Sequence, residues 1–165
     1  MRIHIQDWIL DVDIDATMKY SSELFAEHCE CGYCRNYYST ISDVYPELNT
    51  LLTKLGIHHE APVDFLPVEP TLCIVSYALC GSIVKRGNQW LAVGEAMISF
   101  QESSMLDYEL SCKEPYFVLT TSALRLPWIL EEDMDEVISP ANEPECMERM
   151  WKKLLDDAAF NIYQS

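Results

Sequence analysis

The densest chemistry in the sequence is the stretch His28-Cys29-Glu30-Cys31-Gly32-Tyr33-Cys34. Three thiols and an imidazole this close together admit three kinds of behaviour. The first is metal binding. Zinc takes four nitrogen or sulfur ligands in a tetrahedron, and Cys31-x-x-Cys34 has the spacing that supplies two of them. Cys29 and His28 are candidates for the remaining positions, although adjacent residues rarely reach one ion together. His58, His59, Cys73 or Cys80 could then furnish the fourth ligand. No second CxxC and no HxxxH completes the set.

The second behaviour is thiol chemistry. Cys31-Gly32-Tyr33-Cys34 opens what reads as a helix, and a helix N-terminus together with Arg35 would lower the first thiol's pKa. The segment before it, Tyr20 to Glu27, reads as helix rather than as the buried strand that precedes such a motif in thioredoxin-like folds. The third is packing alone, with the cysteines acting as small hydrophobes at a helix corner. Cys73, Cys80 and Cys112 fall in apparent strands and fit that description as well.

Other polar clusters carry less. Asp11, Asp13 and Asp15 alternate with Leu10, Val12 and Ile14, which places three carboxylates on one solvated strand face. They lack the loop glycine and distal glutamate of an EF-hand. His58-His59-Glu60 follows a helix end, and His4 lies between Ile3 and Ile5 on a polar strand face. GxSxG, P-loop, GxGxxG and HExxH motifs are all absent from the sequence, so an enzyme is not the favoured class.

The elements that must position these residues follow from periodicity. The chain has 165 residues, 49% of them hydrophobic, enough for one core and one domain over 1–165. Alternation predicts a strand over 9–14, with the change to helix near Asp15. A second helix is expected from Cys34 to Asp43, carrying Tyr37, Tyr38 and Ile41. A third opens at Pro46 and ends at Gly56, with Leu48, Leu51, Leu52 and Leu55 as its apolar stripe. Residues 57–70 read as a connector.

The middle of the chain is strand-rich: 72–84, a turn at 85–89, and a return strand over 90–100 that should complete a hairpin. Further strands are expected over 105–112 and 116–126. Met147, Met150, Trp151, Leu154, Leu155 and Ala158 form the apolar stripe of a C-terminal helix. The expected fold is therefore α+β: a mainly antiparallel sheet with an N-terminal strand, a helical cysteine-containing segment and a C-terminal helix packed on the sheet.

Charge narrows the partners. With 27 acidic and 11 basic residues the net charge is −16, which repels nucleic-acid phosphates and anionic membranes. It suits a basic protein, whose cationic surface such a field would attract. The seven cysteines do not form a disulfide scaffold, the N-terminus lacks an apolar leader, and no run approaches a membrane span. A cytoplasmic setting with reduced thiols is expected.

Asp7-Trp8-Ile9-Leu10-Asp11-Val12-Asp13, the stretch from His28 through Cys34-Arg35-Asn36-Tyr37-Tyr38, Pro46-Glu47-Leu48, Leu55-Gly56-Ile57 and Leu126-Pro127-Trp128-Ile129-Leu130 occur in that order. Together they resemble a family of small Gram-positive bacterial proteins, of which C-x-C-x-x-C-[RE]-N is the most specific part. The resemblance covers most of the chain. It implies a bacterial, cytosolic context and brings no activity with it. Two roles stand in front: an acidic, non-enzymatic protein-binding module of the immunity-protein kind, and a structural zinc protein built on Cys29, Cys31, Cys34 and His28. A thiol-redox protein using Cys31 and Cys34 stands third.

Overall fold

The computed structural model describes residues 1–134. The expected C-terminal helix, and Cys146 with it, lies outside them. Among the described residues the fold is α+β, with eight strands in one antiparallel sheet and three helices. Strands β1 (Arg2–Ile5) and β2 (Trp8–Val12) form a hairpin that pairs Ile5 with Trp8. Its two-residue turn is made by Gln6, at φ 52°, and Asp7, the positive φ that tight hairpin turns require. Helices α1 (Ile14–Ala26), α2 (Gly32–Val44) and α3 (Pro46–Lys54) follow. Then come β3 (Asp64–Glu69), β4 (Leu72–Lys85), β5 (Leu91–Val93), β6 (Ala96–Glu102), β7 (Tyr116–Thr121) and β8 (Leu124–Arg125).

Strand β4 is the axis of the sheet, whose order is β1-β2-β4-β7-β6-β5. Along one edge its first part pairs with β3 and its last part with β2; along the other edge it pairs with β8 and then β7. Alternation divides its side chains between two faces. Val75, Tyr77 and Leu79 are fully buried in the main core with Tyr37, Ile41, Leu48 and Leu52 from the helices, and with Phe117 and Leu119 from β7. Ser76, Ala78 and Cys80 face the other way, where Ser76 bonds Thr120 at 2.9 Å.

Each helix boundary has a local cause. Asp13 caps α1 by accepting from the Ala16 N–H at 3.0 Å, a standard N-cap role for aspartate. Pro46 opens α3, where its missing N–H costs nothing. Gly56 ends the α3 segment at φ +81°. A side chain there would also sit 2.8 Å from the Ile14 carbonyl of α1, so the chain after α3 returns tightly onto α1. The His58 N–H then bonds the Ser21 hydroxyl at 2.8 Å.

Four expectations need correction. Strand β2 stops at Val12, because Asp13 spends its side chain capping α1; the three aspartates therefore do not share one strand face. The 57–70 connector contains β3, whose Pro67 is tolerated because the strand lies at an edge of the sheet. The return strand breaks at Gly94, φ +59°, so β5 and β6 pair with each other and β4 pairs with β7 instead.

The fourth correction concerns 105–112. Here the chain makes a 3₁₀ turn over Ser103–Met105 and then runs irregularly to β7. Both edges of β7 are taken by β4 and β6, so the alternation of Leu106, Tyr108 and Leu110 finds no ladder to join. Backbone groups must nevertheless be satisfied, and here a side chain serves: the Leu110 N–H reaches the Tyr116 hydroxyl at 3.4 Å.

At Gly81, the register partner of Val12, the backbone of β2 lies tight against β4. The Gly81 φ is +139°, and a Cβ would lie 2.0 Å from the Asp11 carbonyl oxygen. Gly81→Ala is expected to cost about 3 kcal/mol or more, from backbone strain and the forced separation of β2 from β4. Urea denaturation measures this directly, and an unchanged midpoint would contradict the close approach.

Candidate metal centre

The link between α1 and α2 is short, and α2 begins without a side-chain cap. Cys31 occupies the N-cap position in extended conformation, φ −65° and ψ 161°. The N-terminal end of α2, which no Cys31 side-chain bond caps, thus lies beside the link. Cys29 and Cys31 lie in that link and Cys34 lies in the first turn of α2. The sulfurs of all three are within 4.8 Å of one another. Three sulfurs bound tetrahedrally to zinc at about 2.3 Å would stand about 3.8 Å apart, so only a small contraction separates this arrangement from a metal-bound one.

Burial grades the three thiols. Cys34 is buried, and Cys29 and Cys31 are half-buried. The Cys29 pKa is lowered: chiefly the Cys34 thiol hydrogen-bonds its sulfur, and the Cys31 backbone N–H adds a further bond, against an opposing effect of burial. Stabilising a thiolate is what a soft-metal site requires. The Tyr38 pKa is pushed up, by burial first and then by the neighbouring charges of Cys34 and Cys29. The phenol therefore stays protonated against the thiols.

Clamps on either side fix the link and the first turn of α2. The Arg35 guanidinium donates from Nε to the Glu30 carbonyl at 2.8 Å and pairs with Glu132 at 2.8 Å. Asn36, 2% exposed, donates to the Pro127 carbonyl at 3.0 Å and accepts from the Ile129 N–H at 2.9 Å. Tyr33 packs edge-on against Trp128 with ring centroids 6.2 Å apart. Thus Cys34-Arg35-Asn36 and Leu126-Pro127-Trp128-Ile129, far apart in sequence, close on each other in space.

The imidazoles form a separate aromatic row. Phe25 stacks on His28 at 5.1 Å and contacts His58 at 4.2 Å, and His58 stacks on His59 at 5.3 Å. The His28 Nδ1 bonds the Phe25 carbonyl at 2.5 Å, and its ring meets Tyr38 edge-on. His28 is not among the ligand atoms gathered at the three sulfurs. His59 has a lowered pKa, chiefly because burial disfavours its charged form.

The other sequence candidates are dispersed. Cys73 is buried in the core, where burial pushes its thiol up to about 12. Cys80 lies against Cys112, with the sulfurs 3.5 Å apart. Asp11, Asp13 and Asp15 line an open cleft with Gly81, Ser82 and Pro115. Two of these carboxylates already have partners: Asp11 the N-terminal amine and Asp13 the helix cap. Among the described residues the three-thiol cluster is the one group with metal-holding geometry, and no helix is long and apolar enough to cross a membrane.

Sequence reasoning passed over Asn36 and Tyr38 as site-shaping residues. Asn36 carried a signal, since it falls on the same helical stripe as Tyr33, Tyr37 and Thr40, all buried. A polar side chain on a buried stripe needs a fixed partner.

The thiol order has a direct readout. In the metal-free protein, Cys29 should alkylate with a midpoint pH below the ordinary thiol value of about 8.5, because its thiolate is favoured. Cys73 should stay unreactive until the pH approaches about 12. A Cys29 midpoint at or above the ordinary value would contradict the hydrogen bonding described. No family model matches this chain, and neither a curated protein nor a solved structure matches it.

Proposed function

We propose that this chain holds a structural zinc ion through Cys29, Cys31 and Cys34, with His28 as the fourth ligand. The observation that carries the reading is the mutual approach of three sulfurs within 4.8 Å at an uncapped helix N-terminus. The His28 Nδ1–H donates to the Phe25 carbonyl, which leaves Nε2 as the nitrogen with a free lone pair. Metal-ligating histidines are held in this manner, their other nitrogen bonded to a carbonyl or carboxylate. To ligate, the His28 ring would have to leave its contacts with Phe25 and Tyr38 and turn toward the sulfurs. Four protein ligands leave no open position, which makes the ion structural rather than catalytic.

Metal content of protein purified without affinity-tag metal should be about one zinc per chain. Chelation should lower Tm by roughly 5 °C or more, and Cys31→Ser should lose both metal and stability. Cobalt substitution separates the ligand sets, since His28→Ala should change the visible spectrum of a three-sulfur, one-nitrogen site and leave that of a three-sulfur, one-water site unchanged. Wild-type protein that purifies without zinc, or a Cys31→Ser protein that melts as zinc-loaded wild type, would end this reading.

A second reading concerns the surface. The acidic cleft of Asp11, Asp13 and Asp15 belongs to a chain of net charge −16. A basic protein fits that field as a partner, and the zinc would then hold the scaffold that presents it. Association with such a partner should weaken steeply as ionic strength rises and screens the charges. Binding indifferent to salt, followed by titration calorimetry from low to high salt, would argue against charge as the basis of recognition.

A further inference from the structure

Cys80 and Cys112 lie outside the metal centre, and the proposed function uses neither. Cys80 lies within β4, on the face turned away from the main core, where it is paired in register with Tyr116 of β7. The irregular segment before β7 folds back so that Cys112 rests on it, sulfur to sulfur at 3.5 Å. Two free thiols in van der Waals contact need only small side-chain rotations to reach the disulfide length of about 2.05 Å.

The elements on both sides are fixed. Cys80 donates its N–H to the Thr17 hydroxyl at 3.0 Å, and its carbonyl accepts from the Asp13 N–H at 2.9 Å. The Gly81 N–H bonds the Pro115 carbonyl at 2.9 Å, tying the end of the irregular segment to β4. The Tyr20 hydroxyl meets the Ser111 hydroxyl at 3.3 Å, next to Cys112. The two sulfurs are therefore brought together by backbone anchoring rather than by chance contact of mobile side chains.

The pair is also asymmetric in access. Cys112 is only 6% exposed, whereas Cys80 is half-buried. Burial, together with the hydrogen bond to Cys80, pushes the Cys112 thiol up to about 12. A small oxidant would meet Cys80 first; in the mixed disulfide the hydrogen bond and charge of Cys80 no longer raise the Cys112 pKa, which favours its attack on the adduct.

We infer that Cys80 and Cys112 are a redox pair that closes to an intramolecular disulfide when exposed to a low-molecular-weight disulfide of the glutathione kind. The Cys80 thiol loses its proton and attacks one sulfur of the small disulfide. The S–S bond of the reagent breaks, and its other half leaves as a thiolate that takes up a proton. The Cys112 thiol then loses its proton and attacks the Cys80 sulfur, expelling the second half as a thiol. The protein gives up two electrons and two protons, and the small disulfide is reduced to two thiols. The product is a covalent staple between β4 and the segment leading into β7, on the sheet face opposite the main core. The inference is independent of the zinc reading, because neither cysteine belongs to the metal cluster.

The test is incubation of the reduced full chain with glutathione disulfide, followed by alkylation and peptide mapping. A cross-linked Cys80–Cys112 peptide is expected, about 2 Da lighter than its reduced parts. Cys112→Ser should stop at one glutathione on Cys80, and Cys80→Ser should give no cross-link at all. Oxidised wild type should melt above reduced wild type, since a cross-link restricts the unfolded chain, and Cys112→Ser should lose that difference. Wild-type protein that retains glutathione on Cys80 without closing would overturn the inference. So would oxidation confined to Cys29, Cys31 and Cys34 while Cys80 and Cys112 remain fully alkylated. Both outcomes are read on the wild-type chain, so neither depends on how a variant folds.

Discussion

The close approach of β2 to β4 at Gly81, where Val12 is its register partner, is the constraint on which the rest of the architecture hangs. Strand β4 is 14 residues long and changes partners partway along, from β3 to β2 on one edge. A strand that changes partners leaves backbone groups unpaired at the change, and burial makes such groups costly. Here the first turn of α1 takes up the groups just before the close approach: Thr17 accepts from the Cys80 N–H and the Asp13 N–H donates to the Cys80 carbonyl. The hydroxyl of Thr17, itself fully buried, returns a bond to the Asp13 carbonyl at 2.7 Å. The sheet irregularity and the start of the first helix are thus one hydrogen-bonded unit. It fixes where α1 begins; the other end, where the cysteine link starts, is closed by the Glu27 N–H on the Leu24 and Phe25 carbonyls.

From that point the helices are held by polar groups as much as by the apolar core. No buried side-chain polar atom among the described residues lacks a hydrogen-bond partner. The Asn36 amide is the clearest case, because both of its ends are spent on the backbone of one crossing segment. Replacing a group so used leaves unpaired backbone behind, which costs more than the net worth of the bonds. A second buried chain runs from the Tyr37 hydroxyl to that of Tyr77 and on to the His59 carbonyl. It ties α2 to the central strand and to the histidine loop. Beside the cysteine link, residues 127–129 hold the start of α2 through Tyr33 and Asn36, and the link's own His28 stacks on Phe25. Such surroundings favour a defined sulfur geometry over a floppy loop.

Much of this was legible from residue types, and the failures share a cause. Helices α2 and α3 were readable because Tyr37, Ile41, Leu48 and Leu52 recur at helical spacing and Pro46 and Gly56 punctuate them. The cysteine cluster was readable as a cluster because its members are neighbours in sequence. Pairing between distant strands was not. The alternation in 105–112 is as good as that in β2, yet β2 pairs with β1 and β4 whereas 105–112 meets a β7 already paired on both edges. The pairing of β4 with β7 rather than with the next strand depends on Gly94 turning the chain early, a choice that local pattern leaves open. The Cys80–Cys112 contact is hidden for the same reason, since it follows from β4–β7 register and not from spacing. Asn36 and the 126–129 segment were each visible as motifs, but their mutual contact is a tertiary fact.

The hydrogen bonding inside the cluster bears on what a metal would do there. Three thiolates packed within 4.8 Å would repel one another, and the chain already carries a charge of −16. The metal-free cluster answers that repulsion by keeping protons: the Cys34 thiol hydrogen-bonds the Cys29 sulfur, which lowers the Cys29 pKa. A divalent ion would replace those protons with a charge that suits all three sulfurs at once. Binding must then release the protons still held, so affinity falls as pH falls. The same exchange removes the Cys34–Cys29 hydrogen bond and substitutes metal–sulfur bonds that join the link to the first turn of α2. The helix N-terminus, which has no side-chain cap of its own, would gain its termination from the metal cluster instead.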